Sequence, residues 1–388
     1  MKNRKNINYR VAMFGTYDLP SLGDTMFPVI FKKEMEKRFG DTIQVDLYSP
    51  RGTETPYNDL SRVYSIDDLK ENHKKNPYTL LVIGGGEFIH FSRVEYISVD
   101  GQHKFYEPGD LWEKPQKIAE TLGIPVIWNC VGVTYDINQS MQIKRLVDRC
   151  IKLKYLSVRD QYSKNRLESE TKLEGIHEVA DMLWLFNDYF SEEYLKKIKV
   201  ELSQKYGFLQ DNYVVLQYGT SWEYKKIVDE VLKFASKNQY KVIAMVVNYC
   251  HQDQEIVNDI KKYHDDVCVF NHMLSPVQIM SVIGNAEFFI GTSLHGNVTA
   301  MSYGVNNICL DMYPYTVSKM DGIFDMIHQV KRIVRNPQYI GYKFDELQES
   351  FTQDRVFIRE EIEKIKDRLK KHFNFVEDII RQQKTDQP

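Results

Sequence analysis

Neither sign of charge is in excess in this chain: 51 basic and 54 acidic residues among 388 leave a formal net charge of −3. Holding nucleic acid by bulk electrostatics needs a basic surplus, so no nucleic-acid partner is expected. Cysteine is sparse. Cys130, Cys150, Cys250, Cys268 and Cys309 are scattered, without a Cys-x-x-Cys pair and mostly inside apolar runs. They fit small buried hydrophobes in a reducing compartment, not a disulfide framework or a zinc site. No apolar run approaches the roughly 20 residues of a membrane span. The run Val11–Phe14, behind the basic and Asn-rich start Met1–Arg10, is too short for the core of a signal peptide. A soluble cytoplasmic protein is expected. Chemical signatures are missing too: there is no Gly-x-Ser-x-Gly elbow, no Cys with a nearby His motif and no metal-ligand spacing. His251, His264 and His272 sit on polar segments.

What is present is a full complement of core-forming residues, 43% hydrophobic, in a length that fits two domains. Buried-strand runs alternate with amphipathic helices. Arg10–Gly15 reads as a first strand, Thr25–Phe39 as a helix closed by Gly40, Thr42–Tyr48 as a second strand and Thr79–Ile83 as a third, ending in Gly84-Gly85-Gly86-Glu87-Phe88. Pro125–Val133 and Tyr155–Asp160 continue the pattern, and Tyr213–Gly219 restarts it after a charged helical segment. The expected class is α/β, with two Rossmann-like doubly wound αβα domains facing a cleft. The expected boundaries are 1–190 for the first domain, 191–211 for a linker, 212–340 for the second domain and 341–388 for a helical tail. Between Arg93 and Trp112 lies a long aromatic and polar insertion, read as a lid or acceptor-side loop. Its Tyr96, Phe105, Tyr106 and Trp112 either stack on sugar rings or pack the loop onto the domain.

The most telling stretch is Phe288 to Gly304, a short buried strand running straight into a helix of small and hydroxylic residues. Thr292 and Ser293 can cap that helix, and its first-turn N–H groups, that of Gly296 among them, then face whatever lies beyond the strand. Dipole and unpaired donors favour an anion there, and His295 adds a titratable group. The alternative for His295 is a core histidine held by a backbone carbonyl. Other polar residues at strand ends are Asp24, Glu87 behind the Gly84–Gly86 turn, Arg159, Asp181, Gln217, Asn248 and Lys319. Three glycines at a strand end let a ligand, or another chain segment, approach the backbone closely. Their spacing matches neither a dinucleotide fingerprint nor a P-loop. Arg159 offers a fork for carboxylate or phosphate, or an ion pair with Asp160 or a neighbour. Lys319 adds a point charge, or is solvated. Asp24 is a substrate contact or a helix cap, and Asp181 a turn-former or a base.

Ser21-Leu22-Gly23-Asp24, Gly84–Phe88, Ser157-Val158-Arg159-Asp160 and Ser293-Leu294-His295-Gly296 followed by Lys319 resemble the polysaccharide pyruvyl transferases. The resemblance runs in order from about Val11 to Ile327, and Ser21 stands where that family usually has Asn. It implies a fold like that of two-domain GT-B glycosyltransferases. It also implies transfer of pyruvate from phosphoenolpyruvate to two hydroxyls of a saccharide as a cyclic ketal, in cell-surface or exopolysaccharide biosynthesis. By this resemblance His295 is the acid–base, and Arg159 and Lys319 hold the donor, with Ser293 and Gly296 at the helix start beside them. Asp24, Gly85, Gly86, Glu87 and Gln217 are further candidate substrate contacts. The donor is a substrate, and neither a cofactor nor a metal is expected. The acceptor saccharide is free, lipid-linked or polymeric, and a lipid-linked one would bring the protein to a membrane face without an anchor. Two other functions share the architecture: a nucleotide-sugar glycosyltransferase, with Glu223 as a candidate ribose contact, and a non-catalytic carbohydrate-binding relative.

Overall fold

The apolar runs are too continuous for strands with one wet face, and they form parallel sheets covered on both sides. The computed structural model describes residues 7–52, 62–98, 101–133, 139–219, 224–312 and 318–385. The chain forms two compact units, one of Met1–Met182 with Ile365–Pro388 and one of Leu183–Lys364. Trp222, Glu223 and the Tyr313–Val317 segment lie outside the described residues.

In chain order the first unit holds β1 (Tyr9–Phe14), α1 (Leu22–Phe39), β2 (Ile43–Ser49), β3 (Val63–Ser65), α2 (Leu69–Lys75), β4 (Leu80–Ile89), β5 (Val94–Ile97) and β6 (His103–Tyr106). It continues with α3 (Glu113–Thr121), β7 (Val126–Val133), α4 (Ser140–Cys150), β8 (Tyr155–Val158), α5 (Gln161–Thr171) and β9 (His177–Glu178). Its seven-stranded sheet has the order β3-β2-β1-β4-β7-β8-β9, parallel throughout. Strands are added on one side of β1 and then on the other, so the topological switch point lies between β1 and β4. Ligands of open α/β sheets bind at such a point, beyond the carboxyl ends of the strands.

Three details differ from the sequence expectation. Helix α1 begins at Leu22, three residues earlier than Thr25, which puts Asp24 inside its first turn instead of in the preceding loop. Strand β4 runs on through Gly84–Gly86 to Ile89, because pairing with β7 continues past the glycines. The Arg93–Trp112 insertion contains an antiparallel hairpin, β5 with β6.

The second unit opens with α6 (Phe186–Tyr189) and α7 (Glu192–Lys205). It continues with β10 (Tyr213–Gln217), α8 (Tyr224–Asn238), β11 (Lys241–Ala244), α9 (Asp253–Tyr263), β12 (Cys268–Val269), α10 (Pro276–Gly284) and β13 (Phe288–Gly291). After these come α11 (Leu294–Ser302), β14 (Asn306–Leu310), α12 (Lys319–Met326), β15 (Ile333–Val334) and α13 (Ile340–Thr385). Most of the 191–211 segment is α7, which packs on α10, where the Ser281 hydroxyl donates to the Leu195 carbonyl at 2.7 Å. The six-stranded sheet has the order β12-β11-β10-β13-β14-β15, again parallel, and its switch point lies between β10 and β13.

The tail is one 46-residue helix, α13, whose first part belongs to the second unit and whose last part belongs to the first. Ile358, Ile362, Ile365, Leu369, Phe373, Val376 and Ile380 are buried at helical spacing, so a single apolar stripe serves throughout. In the first unit that stripe carries His372, buried between Asn129 Oδ1 at 2.8 Å and the Tyr155 hydroxyl at 3.0 Å. Burial first, then His177 and Arg38, pushes its pKa down to about 3. The unfolded chain, with an ordinary histidine pKa of about 6.5, therefore binds a proton that the folded unit refuses. Stability contributed by neutral His372 is complete above about pH 6.5 and falls by up to about 1.4 kcal/mol per pH unit below it. His372→Gln is expected to flatten that acid-side slope, read as the difference between the urea midpoints of the two proteins across the window.

Candidate active site

At the first switch point, β1 ends at Phe14 and the chain turns through Gly15, Thr16, Tyr17 and Asp18 before α1. The Thr16 hydroxyl donates to Asp24 Oδ1, and the Tyr17 hydroxyl to the Gly84 carbonyl at 2.8 Å. The Tyr106 hydroxyl, from β6, donates to Asp18 at 2.9 Å. Asp18 is half-buried by area yet walled in by protein. That desolvation lifts its carboxyl to about 6 against the hydrogen bonds from Tyr106 and Ser49, with Asp24 adding to the rise.

Of the two uses open to the glycines, Gly84 and Gly85 serve a close approach of other chain segments. A Cβ on Gly84 would fall 2.0 Å from the Asn129 carbonyl oxygen of β7, and one on Gly85, at φ +80°, 2.4 Å from the Phe27 ring. Gly86 faces Phe88 and Asp24, whose Oδ1 lies 3.8 Å from a built Cβ. Gly85→Ala is accordingly expected to cost about 2–5 kcal/mol, from strained backbone plus overpacking. Gly86→Ala, with its nearest neighbour at 3.1 Å, should cost less. Urea denaturation of the two variants checks the order.

Arg159 follows β8 and is almost fully buried, and it is held as an ion pair. Its Nη2 donates to Glu87 at 2.6 Å and its Nε to Asp160 at 3.2 Å, while Asp160 Oδ1 caps α5 through the Ser163 N–H. Burial by itself would lower the guanidinium pKa, but Glu87, Asp160 and Asp181 hold it above its ordinary value. Nη1 has no recorded acceptor among the described residues. Room for the guanidinium comes from Gly132 of β7, where a Cβ would fall 2.6 Å from the Arg159 Cζ. Sequence reading passed over Gly132, and its signal was a lone glycine at the end of a buried strand. The insertion's aromatics take the packing alternative. Tyr96, Tyr106 and Trp112 are buried, with Tyr96 stacked on Tyr106 at 4.4 Å, and Arg93 lies over Phe105.

At the second switch point Ser293 caps α11, its hydroxyl accepting the Gly296 N–H at 3.2 Å. The Ser293 N–H donates to Gln217 Oε1 at 2.7 Å, from the end of β10. Asn297 closes the turn from within the helix, donating to the carbonyls of Gly291 and Ser293. The Cα of Gly296 packs on Phe289, whose ring lies 2.4 Å from a built Cβ. His295 stands half-buried in the first turn of α11. Among the described residues no acceptor is recorded for the Leu294 N–H beside it. Gln217 is fully enclosed and has both amide ends on protein, with Nε2 donating to Asp253 at 2.9 Å. One strand further, Lys319 is the exposed first residue of α12. Its cap, Ser318, forms a capping box with Asp321 and donates its hydroxyl to Asp311 at 2.7 Å. Arg335 bridges Asp311 and Asp321.

Gln217, Ser293, Gly296, His295 and Lys319 thus line the carboxyl ends of the adjacent strands β10, β13 and β14 in the second unit. Asp24, Gly86, Glu87 and Arg159 do so in the first. Among the described residues no group of three His, Cys, Asp or Glu side chains could hold a metal ion, and no helix is long and apolar enough to cross a membrane.

Solved structures share the fold. A UDP-GlcNAc 2-epimerase from Neisseria meningitidis bound to UDP-GlcNAc superposes with a TM-score of 0.58 at 14% identity, covering 94% of this chain and all of the other. The Methanocaldococcus jannaschii UDP-GlcNAc 2-epimerase in complex with UDP-GlcNAc and UDP gives 0.54 at 13% identity, over 87% of this chain and 92% of that one. The wall teichoic acid polymerase TagF gives 0.53 at 14%, over 98% and 90%. At such identities the likeness establishes a GT-B-like fold and nothing about activity. No curated protein matches the sequence significantly. The family model of the polysaccharide pyruvyl transferases, by contrast, matches residues 22–312, from the first residue of α1 to just beyond β14. Arg159, the second switch point and His295 fall within that span, and the chain belongs to the polysaccharide pyruvyl transferase family.

Proposed function

We propose that this protein transfers pyruvate from phosphoenolpyruvate onto two hydroxyls of a saccharide as a cyclic ketal, in cell-surface or exopolysaccharide biosynthesis. The observation that carries the reading is His295 in the first turn of α11, beyond the switch point of a sheet whose family is that of pyruvyl transferases. Ketal formation begins with a proton delivered to the donor's methylene carbon, and the pair of electrons of that double bond forms the new C–H bond. The adjacent carbon becomes oxocarbenium-like, and a sugar hydroxyl attacks it and loses its proton. Cleavage of the C–O bond to phosphate regenerates a cationic centre for the second hydroxyl, whose proton leaves with the phosphate. An imidazole suits the first delivery because it exchanges protons near neutral pH. The start of α11 and Lys319 supply the positive field for phosphate and carboxylate. Arg159 is assigned to the donor's carboxylate on the family resemblance.

The first unit suits the acceptor. Asp18, Asp24 and Glu87 at that switch point offer acceptors to the hydroxyls of a neutral sugar. The acceptor is a saccharide in cytoplasmic reach, free, carried on a lipid or polymeric. Incubation with phosphoenolpyruvate and candidate saccharides should release phosphate and yield a ketal methyl signal by NMR. Stabilisation by nucleotide sugars and not by phosphoenolpyruvate, in a thermal-shift comparison, would replace this reading with that of a glycosyltransferase.

A further inference from the structure

We infer that Asp253 is a positioning residue for His295, acting through the side chain of Gln217. The inference rests on the acid–base reading of His295 given above. Asp253 opens α9 and is 1% exposed. Its Oδ2 accepts three hydrogen bonds: from Gln217 Nε2 at 2.9 Å, from the Val247 N–H at 3.2 Å and from the Asn248 N–H at 3.1 Å. One oxygen therefore ties the segment after β11 to the end of β10.

The consequence falls on Gln217. A primary amide can sit either way round, but a carboxylate only accepts, so Nε2 must face Asp253. Oε1 is then turned toward β13, where it accepts the Ser293 N–H at 2.7 Å and lies 3.4 Å from the Thr292 hydroxyl. Thr292 in turn accepts the Gly219 N–H at 3.0 Å, and Asn248 Nδ2 lies 3.4 Å from the Ser293 hydroxyl. The turn that launches α11 is thus gripped on its N–H, on both hydroxyls and, through Gly296, on the cap. His295 is two residues beyond Ser293. Its Cα is placed by this turn.

A purely stabilising role would be served poorly by this acid. Its Oδ1 is buried with no partner among the described residues, against the Cα of Gly219, where a built Cβ would come within 2.9 Å. Burial lifts its carboxyl to about 6 against the Gln217 and backbone hydrogen bonds, so the charged form is costly in place. What the acid supplies is one oxygen that accepts from Gln217, Val247 and Asn248 together.

The test uses the full chain with isotope-labelled histidine. His295→Gln identifies the His295 ring resonances by their loss. Asp253→Ala and Gln217→Leu are each expected to move those resonances, while those of the exposed His103 and His177 stay in place. Asp253→Asn keeps an acceptor toward Gln217 and is expected to retain the wild-type signature. In the ketal assay Asp253→Ala should lower kcat about 10- to 100-fold with a much smaller change in KM for phosphoenolpyruvate, and Asp253→Asn should restore most of it. Unmoved His295 resonances in both Asp253→Ala and Gln217→Leu, with only a lower Tm, would overturn the inference. If Asp253→Ala does not fold, Gln217→Leu decides alone. Absence of pyruvyl transfer in the wild type would count against the proposed function, and the resonance comparison would still decide the positioning role.

Discussion

His295→Gln is expected to reduce acceptor-dependent phosphate release by about 10²–10⁴-fold, the usual contribution of a general acid–base, and to leave Tm within a few degrees of wild type. The two halves of that result have separate causes. Helix α11 is launched by Ser293, Gln217, Asn297 and Asn307, whose hydrogen bonds do not involve the imidazole ring. A half-exposed side chain in the first turn can be exchanged for a neutral amide without opening a cavity. Within Thr292–Gly296, however, the imidazole is the one side chain that exchanges a proton near neutral pH. Near wild-type phosphate release by His295→Gln, with acceptor present, would remove His295 from the mechanism.

The second large effect concerns Arg159. Arg159→Met should destabilise the protein by about 3–5 kcal/mol, because Glu87 and Asp160 would keep their charges beside a buried apolar chain. Adding Glu87→Gln should recover part of that loss, and a double-mutant cycle in urea measures how much. Loss of activity in Arg159→Met is therefore ambiguous by itself. Glu87→Gln alone is the informative variant. Glu87 takes Nη2 at 2.6 Å, and neutralising it leaves the guanidinium less compensated. If Arg159 grips the donor, KM for phosphoenolpyruvate should fall several-fold in Glu87→Gln. An unchanged KM would make Arg159 a structural ion pair.

Much of this was legible beforehand for a physical reason. Doubly buried strands leave continuous apolar runs, and Thr79–Ile83, Tyr213–Gln217 and Phe288–Ile290 announce themselves whatever surrounds them. Helix caps are equally local: Ser293 and Ser318 each sit before a helix and cap it through a hydrogen bond spanning two or three residues. Misreadings arose where the deciding partner was distant in sequence. Thr25 looked like the start of α1, although Leu22 begins it and Asp24 is paired with Thr16. The glycines left a ligand and another chain segment equally open, and Phe27 and the Asn129 carbonyl decide for the chain segment at Gly85 and Gly84. The aromatics of the insertion likewise left stacking on sugars and packing both open, and Tyr96 and Tyr106 pack on each other inside a hairpin.

The sequence by itself determined the α/β class, the strand-to-helix turn that carries His295 and the resemblance to a family of pyruvyl transferases. Periodicity, capping and motif order all act over a few residues, or in simple succession. Only the tertiary structure decided that β1 and β4, and likewise β10 and β13, are neighbours, and so that candidate residues far apart in the chain gather at two switch points. It alone showed that Arg159 is compensated by Glu87 and Asp160, and that Gln217 is held by Asp253. Strand order and ion pairing are settled by which surfaces meet, and no local pattern of residues carries that information.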